Sequence, residues 1–316
     1  MENILVTGGA GFIGSTLCET LLKSGNKVIV IDNFNDYYDP NIKRENIKKI
    51  TKENFLLYEK DIRDKKALEE IFKNPIDLVI HLAAMAGVRY SIENPELYYE
   101  VNVNGTLNLL EQCRKNNIKR FIFASSSSVY GNNKQVTFSE EDNVDYPISP
   151  YAATKKSGEL LCFTYHHLYN INVACLRFFT VYGPKQRPDL AIHKFVRLIL
   201  EGKEIPVYGE GTTQRDYTYV DDIIDGIVKT IKWIKDPESR YEVFNLGGDH
   251  TVSLNEMVYG IEQQLGKKAI INRIGMQQGD VDKTSANISK ARSVLQYNPS
   301  VSFEEGIEHF INWIKG

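Results

Sequence analysis

The chain opens on a short apolar run, Asn3 to Thr7, followed by a glycine-rich turn. A stretch with apolar residues Ile13, Leu17, Leu21 and Leu22 at helical spacing comes next. Lys27 to Ile31 is β-branched and ends on Asp32. Four more apolar runs, Phe55–Tyr58, Leu78–Leu82, Phe121–Ala124 and Val173–Phe178, alternate with helical stretches. Their apolar character is continuous rather than alternating, which suits strands covered on both faces. Strand–helix alternation predicts an α/β fold with a doubly wound parallel sheet. After about Thr180 the chain is punctuated by Gly183-Pro184, Arg187-Pro188, Ile205-Pro206 and Gly209-Glu210-Gly211, so a smaller C-terminal α/β domain is expected there. The expected division is 1–180 and 181–316. Segments near 218–247 return to the first part: the helix after Val220-Asp221-Asp222 and the strand Val243–Leu246.

Composition narrows the class. A chain of 316 residues with 42% hydrophobic and 25% charged residues is that of an ordinary globular protein. The net charge of −3 supplies no bulk attraction to nucleic acid or to an anionic membrane. No apolar run is long enough to span a bilayer, and Met1-Glu2-Asn3 lacks the basic start of a signal peptide. Cys18, Cys113, Cys162 and Cys175 show no CxxC spacing. Reduced, buried thiols are expected, with no metal site and a cytoplasmic location.

The turn after the first strand reads Gly8-Gly9-Ala10-Gly11-Phe12-Ile13-Gly14. Glycines there permit a tight turn and let backbone N–H groups approach a pyrophosphate at a helix N-terminus, whose dipole favours an anion. Strand before, helix after and an acid at the end of the second strand together predict a Rossmann-type dinucleotide site. Asp32 is positioned to accept hydrogen bonds from the adenosine ribose, and a carboxylate there repels a 2′-phosphate, favouring NAD over NADP. Asp61-Ile62 falls either near the adenine or, through Asp61, at a helix cap.

Tyr151 and Lys155 are one helical turn apart, after Ser149-Pro150, which suits a helix start. A tyrosine titrates near ~10. A neighbouring ammonium and a positive nicotinamide favour the phenolate, making Tyr151 a candidate base. Tyr130 and Lys134 have the same spacing, but Gly131-Asn132-Asn133 breaks any helix between them. The run Ser125-Ser126-Ser127-Ser128 leaves a predicted strand at the carboxyl edge of the sheet, where ligands bind in such folds. It is read either as a set of hydroxyls that polarise a substrate or as a serine-rich loop.

These motifs, with His81-Leu82-Ala83-Ala84 and Asn102-Val103-Asn104-Gly105-Thr106, resemble the extended short-chain dehydrogenase/reductase family over nearly the whole chain. More narrowly, Asp32 to Pro40, Met85 to Ser91 and Arg177 to Pro184 resemble nucleotide-sugar 4-epimerases, and most closely UDP-glucuronate 4-epimerases. The resemblance implies NAD contacts from Gly8, Gly11, Phe12, Ile13, Gly14, Asp32, Asn33, Asp61, Ile62, Leu82, Ala83, Ala84, Asn102, Tyr151 and Lys155. It implies that Tyr151 takes the C4 hydroxyl proton, that Lys155 holds the nicotinamide ribose and lowers the Tyr151 pKa, and that Ser126 bonds the C4 oxygen. For a UDP-sugar it implies contacts from Arg89, Ser127, Ser128, Thr180 and Arg187. Arg215 matches the arginine on the pyrophosphate, Asp280 an acid on the uridine ribose, and Val207 lies in the strand lining the uracil pocket. A homodimer built from the helices near Val103 and Tyr151 is also implied.

The departures carry information. Related dTDP-glucose dehydratases have an Asp-Glu pair inside the serine-run motif, and UDP-glucuronate decarboxylases a Glu at its last position; here those places hold Ser127 and Ser128. UDP-galactose epimerases often carry Arg and a bulky Tyr where this chain has Gln277 and Thr284. The expected reaction is C4 epimerisation of UDP-glucuronate to UDP-galacturonate through a 4-keto sugar. Ser127, Ser128 and Thr180 are expected to clamp the carboxylate against loss of CO₂. UDP-glucose or UDP-N-acetylhexosamine epimerisation, and UDP-glucuronate decarboxylation, are the alternatives.

Overall fold

A computed structural model of the chain describes residues 1–50, 53–133, 135, 137–236, 238, 240–248, 250–275 and 283–316. In chain order the elements begin β1 (Asn3–Thr7), α1 (Phe12–Lys23), β2 (Lys27–Asp32), α2 (Pro40–Lys48), β3 (Phe55–Glu59), α3 (Lys65–Ile71) and β4 (Leu78–His81). Then come α4 (Val88–Glu93), α5 (Pro95–Tyr98), a π-helical turn (Tyr99–Asn104), α6 (Gly105–Lys115), β5 (Arg120–Ser126), a 3₁₀ turn (Ser127–Tyr130), α7 (Pro150–Tyr169) and β6 (Asn172–Phe178). The remainder is β7 (Thr180–Tyr182), α8 (Ala191–Leu200), β8 (Glu204–Tyr208), β9 (Gln214–Arg215), β10 (Tyr217–Tyr219), α9 (Val220–Trp233) and β11 (Tyr241–Leu246). Beyond it lie β12 (Val252–Ser253), α10 (Leu254–Leu265), β13 (Ile270–Ile274), a second π-helical turn (Ala291–Leu295) and α11 (Phe303–Lys315).

The apolar runs become one seven-stranded parallel sheet in the order β11-β6-β5-β4-β1-β2-β3. Alternate residues of each strand feed two cores. Ile4, Val6, Val28, Val30, Leu78, Ile80 and Ile122 pack on one face. Leu5, Ile29, Ile31, Val79, Phe121 and Phe123 pack on the other. Helices cover both faces, so neither set of side chains meets water, and the sequence shows no polar alternation.

Strand order reverses between β1 and β4, which opens a crevice at the carboxyl edge between their loops. Where the strands end is decided by pairing rather than by apolarity. β5 runs two residues past Ala124, because Ser125 and Ser126 find partners in Arg177 and Phe178 of β6. β4 stops at His81, one residue short of Leu82.

α7 places the candidate catalytic pair. Pro150 starts it and the Ser149 hydroxyl accepts the Ala152 N–H at 3.1 Å. Its close approach to the sheet depends on Gly158, where a Cβ would come within 2.3 Å of the Phe123 ring. Beyond β6, three two-stranded sheets form, pairing β10 with β7, β12 with β9 and β13 with β8. The chain also comes back to the large sheet: β11 pairs with β6, and α9 packs on α1. Among the described residues no helix is long and apolar enough to cross a membrane, and no group of His, Cys, Asp and Glu side chains is arranged to hold a metal ion. All four cysteines are free and buried.

Candidate active site

A cleft of about 370 Å³ opens at the carboxyl edge of the sheet. One end is the glycine turn. Gly8 has a φ of 71°, and a Cβ on it would press to 2.9 Å from Ala83; a Cβ on Gly14 would lie 2.1 Å from the Gly8 carbonyl oxygen. Larger residues at either place would force the turn away from β4 or from α1. No side chain caps α1, whose N-cap is Gly11, so its first-turn N–H groups are available to an anion in the cleft that Gly11, Phe12, Ile13 and Gly14 line. This geometry fits a dinucleotide pyrophosphate.

Asp32 lies on the same wall and is itself part of the turn. Its carboxylate accepts the backbone N–H groups of Ala10 and Phe34, each at 3.0 Å. Burial pushes its pKa up, while those two N–H groups and the Lys43 ammonium oppose the shift. Asn33 donates to Asp61 at 2.9 Å. Burial acts upward on the Asp61 carboxyl, but the hydrogen bonds from Arg63 and Asn33 hold it below its ordinary value. The cap of α3 is Asp64, which accepts from Lys66 and Ala67. Asp61 and Ile62, like Asn33, line the cleft, as do Leu82, Ala83 and Ala84 opposite the glycine turn.

Ser126, Tyr151 and Lys155 meet on the adjoining wall. The Lys155 ammonium donates to the Ala124 carbonyl at 2.8 Å, and burial lowers its pKa to about 8. It lies 6.0 Å from the centre of the Tyr151 ring. Burial raises the Tyr151 pKa, and the opposing effects are a hydrogen bond with Ser126 and the positive charge of Arg187. In this arrangement the Lys155 ammonium is held by a backbone carbonyl. The other tyrosine of matching spacing is otherwise engaged. The Tyr130 hydroxyl donates to Asn245 at 2.7 Å and accepts from Arg177 at 3.0 Å, and burial pushes its pKa up to about 12. Lys134 lies outside the described residues.

One further turn along α7, Glu159 was not singled out by the sequence. Its carboxylate accepts Ser125 at 2.6 Å and Arg177 Nε and Nη2 at 2.9 Å each, with both ionic side chains 3% exposed. This buried pair ties α7 to β5 and β6 directly behind the wall that carries Tyr151 and Lys155. The available signal was the extension of the Tyr151/Lys155 spacing by another four residues.

The substrate-side residues divide. Thr180 and Arg187 line the cleft. Arg187 pairs with Asp189 at 2.7 Å and lies 5.1 Å from the Tyr37 ring centre. Ser127 and Ser128 do not line it: the chain turns there into a 3₁₀ turn, and Ser126 receives the Ser128 N–H at 3.1 Å while sharing a hydroxyl contact at 3.2 Å. Asn102 also lies behind the wall rather than on it, bonded to both backbone polar groups of Met85. Val207 turns its side chain into the hydrophobic core. Arg89 lies 5.0 Å from the Tyr208 ring centre, between α4 and β8. Arg215 donates to its neighbour's carbonyl at 2.9 Å, while Asp216 is taken up by Gly248, Ala286 and Thr218. Thr284 donates its N–H to the Gln214 carbonyl. Asp280 and Gln277 lie outside the described residues.

The cleft also includes Asn35, Tyr37, Tyr38, Lys43 and Lys60, to which the sequence assigned no role. Lys43 is the clearest case. Its ammonium donates to the Asn35 carbonyl and side-chain oxygen at 2.9 and 2.8 Å, and burial lowers its pKa. Only its place three residues into α2, after the Asp32–Pro40 motif, could have marked it.

Comparison with known proteins gives the family and the fold. A family model described as GDP-mannose 4,6-dehydratase matches residues 5–310. An uncharacterised protein of Methanocaldococcus jannaschii is 49% identical over 99% of this chain and 96% of its own length. A UDP-glucuronate 4-epimerase of Thermodesulfobacterium geofontis is 46% identical over 100% of this chain and 97% of its own. Among solved structures, UDP-glucuronic acid 4-epimerase of Bacillus cereus, in complex with UDP-glucuronic acid and NAD, superposes with a TM-score of 0.91. It is 41% identical, and 99% of each chain is covered.

Proposed function

The chain belongs to the NAD-dependent epimerase/dehydratase family of extended short-chain dehydrogenases/reductases, and from that premise we propose that it interconverts UDP-glucuronate and UDP-galacturonate at C4. The observation that carries the reading is the shared cleft: a pyrophosphate-binding turn at one end, Ser126, Tyr151 and Lys155 beside it, and Thr180 and Arg187 within the same cavity. Both the B. cereus structure and the T. geofontis relative are UDP-glucuronate 4-epimerases, which supports the uronate over a neutral sugar.

NAD⁺, when bound, supplies the hydride acceptor and donor at C4. Tyr151 takes the C4 hydroxyl proton and returns it, Ser126 holds the C4 oxygen, and Lys155 holds the nicotinamide ribose. The glycine turn and the Asp32 carboxylate retain the cofactor through turnover, as a reaction with no net oxidation requires. The 4-keto sugar swings about its diphosphate and presents its other face. A 4-keto uronate is a β-keto acid, prone to lose CO₂ when its carboxylate bond aligns with the carbonyl π system. Thr180 and Arg187 are the cleft groups suited to holding that carboxylate out of alignment. Arg215 is assigned to the pyrophosphate and Asp280 to the uridine ribose, with the strand of Val207 beside the uracil and Arg89 on the substrate. The dehydratase description of the family model is not carried over, since elimination of water calls for an acid and a base where Ser127 and Ser128 stand.

Two copies are proposed to associate through α7 and α6. Leu160, Phe163 and Leu168 of α7 are each at least half exposed, an apolar face that a second copy covers.

The reading is tested by incubating the purified protein with UDP-glucuronate and resolving products by NMR. UDP-galacturonate with little UDP-pentose is expected. UDP-pentose as the main product would make the protein a decarboxylase. An inert UDP-glucuronate beside a reacting UDP-glucose would make it a neutral-sugar epimerase.

A further inference from the structure

Behind the cleft runs a set of buried, neutral hydrogen-bonding groups that the reaction does not use directly. Thr7 Oγ1 accepts the Ala83 N–H at 3.2 Å and lies 2.7 Å from His81 Nδ1. His81 Nε2 lies 2.9 Å from Thr106 Oγ1, which donates to the Asn102 carbonyl at 2.5 Å. The Asn102 side-chain oxygen accepts the Met85 N–H at 2.8 Å, and its amide donates to the Met85 carbonyl at 2.9 Å and to Thr154 Oγ1 at 3.0 Å. Thr154 Oγ1 donates to the Tyr151 carbonyl at 2.8 Å. All five side chains are at most 2% exposed.

The protons in this set have one consistent assignment. Thr106 spends its hydroxyl proton on Asn102, so toward His81 it accepts, and His81 carries its proton on Nε2. His81 Nδ1 is then the acceptor for the Thr7 hydroxyl, which already accepts from Ala83. Thr154, donating to Tyr151, accepts from Asn102. Every donor has one acceptor and no group is left over, so the set holds one geometry rather than several. Its two ends are backbone groups that matter to the site: the Ala83–Met85 loop opposite the glycine turn, and the first turn of α7 that carries Tyr151. Asn102, lifted by a π-helical turn, joins them.

We propose that His81, Thr106, Asn102 and Thr154 are positioning residues that fix the cofactor-facing loop and Tyr151 in one common register. The proposal rests on Tyr151 acting as the base, and its test separates the two ideas. Thr106→Val and Thr154→Val remove a hydroxyl at nearly constant shape; Thr106→Ser and Thr154→Ser keep it. The valine variants are expected to lower kcat about ten- to a hundredfold, the scale of a misplaced reacting group, with KM for the UDP-sugar changed less than about twofold and the serine variants close to wild type. The double valine variant should lose little more than either single one, because both break the same unit.

A readout without turnover accompanies these. Nitrogen-15 NMR of the folded protein should show His81 protonated on Nε2 only, and Thr106→Val should erase that preference. If Tyr151→Phe keeps the wild-type rate, the base assignment fails, while the His81 tautomer still decides the network. Additive losses, serine variants as poor as valine, or a His81 protonated on Nδ1 would overturn the proposal.

Discussion

At the scale of single residues, the chemistry is set by what each polar atom already holds. Tyr151 is drawn in opposite directions: burial keeps its proton on, while Ser126 and the charge of Arg187 favour its loss. Tyr151→Phe is therefore expected to cut kcat by about a hundredfold or more, as for loss of a general base. Its KM should barely move, measurable by steady-state kinetics. Wild-type rates in that variant would require another base, and Tyr130 is a poor one because its hydroxyl is already held by Asn245 and Arg177. Asp32 carries a second consequence. Since it holds the Ala10 and Phe34 N–H groups as well as facing the cleft, Asp32→Ala leaves two buried donors unmatched, at about 1–3 kcal/mol each. NAD affinity, read by calorimetry on stripped protein, should fall by more than loss of a ribose contact alone accounts for, while NADP gains little. Equal binding of both cofactors by the wild type would refute the role of Asp32.

At the scale of elements, α7 carries Tyr151 and Lys155, and its energetics centre on Glu159. The Glu159–Arg177 pair is buried and fully hydrogen-bonded. Removing one partner strands the other charge, so Glu159→Ala is expected to cost about 3–5 kcal/mol of stability, read from the denaturant midpoint. Replacing both partners by apolar residues should recover much of that loss; a double variant as unstable as the single one would contradict this account. The same helix shows what sequence can reveal. Tyr151 and Lys155 were visible as a pair because one helical turn separates them, and the strands were visible because burial on both faces left continuous apolar runs. The contacts of Glu159 and Asn102 were not legible because their partners, Ser125 and Arg177 for the one and Met85 and Thr154 for the other, are distant in the chain. For Ser127 and Ser128, a run of like residues does not say where a strand ends and a turn begins, and pairing with β6 decided that.

At the scale of the whole molecule, buried titratable groups make stability depend on pH in opposed directions. His81 faces Thr7, Thr106, the rings of Phe121 and Phe123, and at longer range the Lys155 ammonium. Burial and that charge lower its pKa to about 3 from an ordinary 6.5. Above 6.5 the folded and unfolded chains both hold it neutral and it has no pH effect. Between 6.5 and about 3 only the unfolded chain takes up the proton, so stability falls with pH at about 1.4 kcal/mol per unit. Asp216 behaves in the opposite sense. Burial, opposed by the N–H groups of Gly248 and Ala286, raises its pKa to about 6 from 3.8. Between those values the folded chain is the one that binds the proton, and stability rises as pH falls. The two slopes therefore oppose each other over most of the window. Variants separate them. Relative to wild type, His81→Asn should gain stability steadily from pH 6.5 down to 4, whatever constant penalty the substitution adds. Asp216→Asn should lose stability relative to wild type over pH 6 to 4. Denaturant titrations at half-unit pH steps measure both differences. A difference between wild type and His81→Asn that stays flat across the window would show that His81 takes up its proton in the folded chain as readily as in the unfolded one.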